Sequence, residues 1–450
     1  AILSSAFGSI LGGPRVLQAL STDGLAPQAF SKLSRSGQPT VATWVTGAIA
    51  LVAVALGELN TVARLVSVLF LTLYVAINLS AAIEVLVGEP HFRPKIKVHW
   101  FVSILGAFGA VFVMFLISPL ACLIAIALEI GIYVWLRRRS LEQQWGDVTS
   151  GVWLNIAKRA LLNHSRRQKD PRNWRPQILL FTHDLADRIE SVKLMAAISQ
   201  DKGVLTIATL LPLSEQHDFE LVEKRRSSMQ GILEEQGIEA FCEVSVVADM
   251  QKGAVDIAKG HGLAGLKSNT VAQGFSQNPA GRVHQLHSLQ SLALSGKSML
   301  IIRHANHIGA SRQVLTIWWR GREKNGDLML LLAYLLQLDP EYRKHKIEIA
   351  SVVRKEGESQ SLQTFIKGRL DEARIQATVR ILQSEQSIES VIQKESASSD
   401  VVFLGLAVPR AGEEARQAEW MTTVSASLRT SVFVYNAGIG DAVPELLNQV

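Results

Sequence analysis

Long apolar runs crowd the first 136 residues, and beyond them apolar positions recur only in short stretches. Thr40 to Leu56 with its flanks, Leu65 to Val87, Trp100 to Ile117 and Leu120 to Leu136 carry very few charges. A helix crossing a bilayer needs roughly 20 mostly apolar residues, so each run predicts a membrane span. The opening, Ala1 to Leu20, is also apolar but starts inside its own helical pattern. It reads as part of a fifth span that begins upstream of Ala1. Ser118-Pro119 predicts a tight hairpin between the last two spans.

From Pro176 the pattern becomes short β-branched runs alternating with amphipathic helices. Gln177–Thr182, Val204–Leu210, Glu243–Ala248, Thr270–Gln273 and Ser298–Ile302 predict one series of strands. Leu315–Trp319, Ile347–Val353, Ala377–Leu382, Val401–Leu404 and Val432–Tyr435 predict a second. Strands alternating with helices argue for parallel sheets, and two series of five argue for two related subdomains. The predicted organisation is a membrane region at 1–136, a basic linker at 137–175, and α/β subdomains at 176–306 and 307–450. Within the linker, "WGDVTSGVWLNIAKRALLNHSRR" places Val152, Ile156 and Ala160 on one helical face and Lys158 and Arg159 on another. Such a helix can lie on a membrane surface or pack on the following domain; packing is the expectation.

Charge orients the spans. Arg15, Lys32 and Arg35 fall in the first connection, Arg93, Lys95 and Lys97 in the third, and Arg137, Arg138 and Arg139 open the tail. The second connection has no basic residue before Arg64, and the fourth has none. The positive-inside rule then places the α/β region in the cytosol of an integral membrane protein, with Arg64 snorkelling at an outer helix end. The net charge of +6 rests largely on this tail, including Arg166, Arg167, Lys169, Arg172 and Arg175, and reads as topogenic rather than as a nucleic-acid patch. Cys122 and Cys242 lie in different regions and suggest neither a disulfide nor a zinc site. No charged leader with a cleavage site opens the chain.

Candidate chemistry is sparse. Ala1, Ser4 and Ser5 share a helical face that Gly8, Ser9 and Gly12 continue. Small residues suit close helix packing, whereas hydroxyl and carbonyl oxygens can hold a hard cation such as sodium. Tyr74 lies mid-span with Asn78 one turn on; its hydroxyl can be packed or can donate to an anion. Glu129 is an intramembrane carboxylate, while Glu84 sits near a helix end. The turns "THDLADRIES" and "KNGD" lack the glycine pattern of a nucleotide-binding loop, and His284 and His287 read as a solvated helix face. Nothing supports catalysis, and no cofactor is expected.

Six segments, in order, resemble the cation-chloride cotransporters of the amino acid-polyamine-organocation superfamily. "LSSAFGSILGGPRVLQALSTDGLAP" is similar to that family's eighth membrane helix and its cytoplasmic extension. "ELNTVARLVSVLFLTLYVAINLSAAIE" is similar to the tenth, and "HFRPKIKVHWFVSILGAFGAVFVMFLI" to the run into the eleventh. "NWRPQILLF", "GLAGLKSNTVAQGF" and "TIWWRGREKNGDLMLLLAYLL" resemble its regulatory domain. The resemblance implies the last helices of a twelve-helix inverted-repeat transporter, followed by two universal-stress-protein-like subdomains that regulate it, with a homodimer formed through these subdomains and the last membrane helices. It implies sodium ligands at Ala1, Ser4 and Ser5, through the Ala-x-x-Ser-Ser motif, and a chloride contact at Tyr74. Ser5 implies sodium coupling. Potassium coupling stays undetermined, because that site and the other chloride contacts belong to helices absent from this chain. The short link between subdomains implies a prokaryotic member in the inner membrane. The implied function is electroneutral cotransport of Na+, with K+ open, and Cl−. A K+–Cl− cotransporter, an amino acid permease and a membrane-tethered nucleotide sensor are the alternatives.

Overall fold

The computed structural model describes residues 2–35, 37–55, 58–87, 96, 98–138, 148–166, 174–213, 219–263, 266–305, 312–320, 325–354 and 356–438. Ala1, the third-connection residues Arg93, Lys95 and Lys97, and Arg139, Arg167, Lys169 and Arg172 lie outside them. The chain divides into two compact units, Ala1–Ala160 and Leu161–Val450.

The first unit is helical. Helix α1 (Ile2–Thr22) runs on through Gly12, Gly13 and Pro14, so Arg15, expected in a connection, lies within it. One proline removes one helical hydrogen bond and tends to bend a helix rather than end it. Helices α2 (Thr40–Ala55), α3 (Leu59–Val87), α4 (Trp100–Ile117) and α5 (Pro119–Arg138) follow. In α2 the Thr43 and Thr46 hydroxyls donate to the carbonyls of Pro39 and Ala42, both at 2.8 Å, so neither needs an outside partner. Four complete spans were expected. Among the described residues, the Asn60–Leu86 stretch of α3 and α4 are long and apolar enough to cross a membrane. Thr40–Ala55 and Pro119–Trp135 are apolar but shorter. The 16 residues of α2 reach only about 24 Å at a helical rise, against about 30 Å of hydrocarbon.

Helices α3, α4 and α5 pack together around Val68, Met114, Cys122 and Ala125. Gly106 of α4 allows the close approach to α3, since a Cβ there would stand 2.8 Å from the Asn78 amide oxygen. Around Gly8 and Gly12 of α1, by contrast, nothing among the described residues lies within 4 Å of a Cβ placed on either. The expected hairpin between α4 and α5 is the single residue Ser118. Its N–H donates to the Met114 carbonyl at 3.1 Å, while its hydroxyl accepts from the Ala121 N–H at 3.3 Å. An N-cap serine followed by proline is what a helix start favours. Helix α6 (Val148–Arg166) forms where the amphipathic pattern predicts it. Trp153, Leu154 and Ile156 on it are exposed within this unit.

The second unit is an α/β sandwich. Its first half runs β1 (Gln177–Phe181), α7 (Ile189–Ser199), β2 (Val204–Pro212), α8 (Phe219–Glu235), β3 (Phe241–Val247), α9 (Met250–Gly260), a short hairpin of β4 (Gly262–Leu263) and β5 (Leu266–Lys267), β6 (Thr270–Gly274), α10 (Pro279–Ala293) and β7 (Ser298–His304). The second half runs β8 (Val314–Trp318), α11 (Asn325–Gln337), β9 (Lys346–Val353), α12 (Glu356–Ala373), β10 (Ala377–Gln383), α13 (Ile388–Glu395), β11 (Val401–Gly405), α14 (Glu414–Ser425) and β12 (Thr430–Tyr435). All ten expected strands form within two residues of their expected ends; among the described residues, only the β4–β5 hairpin is additional.

The ten strands make one sheet, in the order β10-β9-β8-β11-β12-β7-β6-β1-β2-β3. Every pairing in it is parallel except β7 with β12, where Ile302 faces Val432 and Leu300 faces Val434. Each half is thus the same doubly wound sequence of strands, and the two are related by a pseudo-twofold at that junction. Equivalent bonds recur: Phe275 N–H to Ile302 O and Leu406 N–H to Val434 O, then Thr182 N–H to Ala208 O and Trp319 N–H to Ala350 O. Helices cover both faces, which explains why the strands read as nearly continuous apolar runs. Leu180, Ile207, Ile317 and Ile349 lie on the face covered by α7, α8, α11 and α12. Leu179, Ala208, Phe433 and Leu404 lie on the face covered by α9, α10, α13 and α14.

Candidate functional site

Helices α1 and α3 carry the predicted ion ligands. Ala1 is outside the described residues, and Ser4 and Ser5 fall in the opening turns of α1. Tyr74 is midway along α3 with its side chain 57% exposed. Its carbonyl accepts a 2.8 Å hydrogen bond from the Asn78 amide, the same side chain that rests against Gly106. Tyr74 is therefore anchored through its backbone to the α3–α4 crossing. The described packing joins α1 to α2 and α3 to α4 and α5. Arg64 folds back along α3, its Nε donating to the Asn60 carbonyl at 3.3 Å. Among the described residues no group of three His, Cys, Asp or Glu could hold a metal ion. His287, expected in a solvated face, is half exposed with its Nε2 3.6 Å from Glu414 Oε1 on α14.

A second candidate lies in the α/β unit. In open parallel sheets ligands bind outside the carboxyl ends of the strands, where the strand order reverses. That point falls between β1 and β6 in one half and between β8 and β11 in the other. The pseudo-twofold makes the two crevices comparable, and they differ sharply. In the first, Arg188 lies across Gly274, with guanidinium atoms 3.3 Å from where a Cβ would stand, and donates to the Phe275 carbonyl. Gln285 adds a 2.8 Å bond to the Gly274 carbonyl. About 190 Å³ remains beside them, bordered by Thr182 and His183.

The second crevice stays open, at about 770 Å³. Trp319 takes the place that Thr182 holds in the first half. Its indole sits over Gly326 in the first turn of α11, where a Cβ would lie 2.1 Å from the ring. Only glycine permits this approach. Asn325 fixes that turn by donating to the Leu406 carbonyl at 2.9 Å and accepting from the Asn436 N–H at 2.9 Å. Trp318, on the opposite face of the sheet, donates its indole N–H to the Ser396 hydroxyl at 2.8 Å. The Trp319 Nε1 has no hydrogen-bond partner, although the side chain is only 2% exposed. Leaving such a donor unpaired costs about 1–3 kcal/mol. Among the described residues, three carboxylates, Glu389, Glu413 and Glu419, and two arginines, Arg320 and Arg416, line the cavity. Arg416 is paired with Glu413 at 2.9 Å.

Sequence reasoning missed Trp319 and Gly326, because it looked for a glycine-rich phosphate loop and found a single glycine. The available signal was the Trp318–Trp319 pair closing a strand, with Gly326 opening the next helix.

Residues 1–179 match the Amino acid permease family, over a stretch that covers the helical unit. The α/β part is similar to the crystal structure of the cytoplasmic domain of a prokaryotic cation chloride cotransporter. That likeness has 16% identity and a TM-score of 0.47, and covers 61% of this chain and all of that one. It is also similar to a universal stress protein from Archaeoglobus fulgidus, at 14% identity and a TM-score of 0.38, covering 59% of this chain and 98% of that one.

Proposed function

We propose that the chain serves secondary active transport: electroneutral cotransport of Na+ with Cl− across the cell's inner membrane, with K+ as a further candidate ion. The carrying observation is the match of residues 1–179 to a permease family, over a region holding two helices long and apolar enough to span. The Ala-x-x-Ser-Ser pattern at Ala1, Ser4 and Ser5 supports sodium as the coupling cation, through one carbonyl and two hydroxyls. Tyr74 is the proposed chloride donor; an exposed tyrosine on a helix held at its crossing with α4 is suited to that role. The alternation of basic and non-basic connections supports a cytosolic α/β unit that regulates transport and takes part in a homodimer.

Reconstituted full-length protein should take up radioactive sodium in a chloride-dependent way. Ser5→Gly should weaken the sodium dependence, and Tyr74→Phe the chloride dependence. The name of the matched family favours a second reading, in which an amino acid is the cargo. Uptake of a labelled amino acid without chloride dependence would select it, and sodium-independent rubidium uptake would select K+–Cl− coupling instead.

A further inference from the structure

We propose that the base of the β4–β5 hairpin binds a phosphate group, carried either by free phosphate or by a lipid headgroup. The hairpin stands just before β6, and charged residues from α9, β3 and the start of β7 clamp its two stalks. On one stalk His261, which ends α9, sets its Nε2 3.5 Å from Glu243 Oε2 on β3. On the other, the Lys297 ammonium donates to the Ser268 carbonyl at 2.6 Å and to its hydroxyl at 2.9 Å. Lys267 pairs with Gly262 across the hairpin, which sets it next to Ser268 and opposite the residue that follows His261.

The charges at this base do not balance. Lys297 is only 6% exposed, and its two partners are neutral oxygens. Burial, with the Lys267 ammonium close by, pushes its amine below the ordinary lysine range. Lys259, Lys267 and Arg175 are exposed at the same end, where the Asn269 amide donates to the Arg175 carbonyl at 2.7 Å. Among the described residues, Glu243 is the one carboxylate within ion-pair distance of this group, and it faces the histidine. A buried ammonium without a countercharge is costly, so the cluster calls for an anion. Two polar positions specify which. Lys297 has three N–H donors and uses two of them. The His261 Nδ1 is buried without a partner, and with Nε2–H directed to Glu243 it is an acceptor. An anion that accepts from ammonium groups and also offers a hydroxyl meets both needs. Hydrogen phosphate and a singly ionised phosphate monoester do so, whereas chloride and sulfate have no proton to donate.

Hydrogen exchange of the full chain in nanodiscs tests this. Three conditions are compared: phosphatidylcholine discs, the same discs with inorganic phosphate, and discs containing phosphatidate without free phosphate. Protection over residues 261–268 should rise in at least one phosphate-bearing condition, and sulfate should give no rise. A rise with inorganic phosphate identifies the free ion as a ligand. A rise with phosphatidate alone identifies the lipid, and Leu263→Ser should then reduce it, because Leu263 is 70% exposed on β4 and can enter the bilayer beside the headgroup. Lys267→Gln removes an exposed charge and should raise the phosphate needed for half-protection about ten-fold, the usual loss for a charge-assisted hydrogen bond. Lys297→Met, which keeps the length of the side chain without its charge, should abolish the response at an unchanged melting temperature; if it fails to fold, Lys267→Gln decides. The proposal is overturned if neither phosphate source protects the hairpin, if sulfate protects it as well as phosphate does, or if Lys267→Gln responds like the parent chain.

Discussion

Ser118 turns the chain between α4 and α5 with one residue, and its hydroxyl caps the Ala121 N–H. Ser118→Ala should cost about 1 kcal/mol, the usual loss for an N-cap, and Ser118→Asp should retain most of it. Equilibrium unfolding in detergent would measure both. His304 offers a different residue-scale test. Its Nδ1 lies 3.1 Å from the Thr430 hydroxyl, its Nε2 has no partner, and burial pushes the imidazole below its ordinary pKa of 6.5. The unfolded chain then takes up a proton before the folded one does. The histidine's contribution is present above pH about 6.5 and is lost as pH falls through that value toward the folded pKa. Denaturant melts at pH 7.5 and 5.5 should show a drop, smaller in His304→Gln. The role of Ser118 could be read from Ser-Pro in the sequence. The roles of His304 and Trp319 could not, because both depend on neighbours brought from distant parts of the chain.

At the scale of elements, the α3–α4 crossing depends on Gly106. Gly106→Val would drive a branched side chain into Asn78, which also bonds the Tyr74 carbonyl. Overpacking of this kind costs about 1–3 kcal/mol, so a lower detergent melting temperature is expected, together with weaker chloride dependence of transport. The inner strands were legible because burial on both faces leaves runs such as "VLTIATLL" that no surface element would show. The β4–β5 hairpin was not, since strands of two residues carry no period.

Across the α/β unit, one sheet joins what the sequence presents as two series. The alternation of strands and helices reports each half's internal order but not the direction in which the last strands meet. Phe433 marks the seam: fully buried, its ring centroid lies 6.2 Å from Phe275 of the first half and 6.1 Å from Trp420 of the second. Phe433→Ala should cost about 3–5 kcal/mol. Because the ladder is continuous, the loss should appear in both halves. Hydrogen exchange should show reduced protection in β1 and β2 as well as in β8 and β9, with one unfolding transition. Protection lost in the second half alone would mean that the halves fold as independent bodies.

The antiparallel seam between β7 and β12 also fixes how copies of this protein can associate. A lone half would end in an open fifth strand, ready to pair with an identical strand on another chain. Here each such edge is satisfied by its sister within the same polypeptide, so the unit carries its own two-body assembly. Among the described residues, the ten-stranded sheet is open to strand addition at its rims, β3 and β10. Arg380 crosses the β10 rim to Glu348 and Glu395, and Phe241 is exposed at the other. The fifth strand of each half is therefore not available to a second copy, because its sister already occupies that edge.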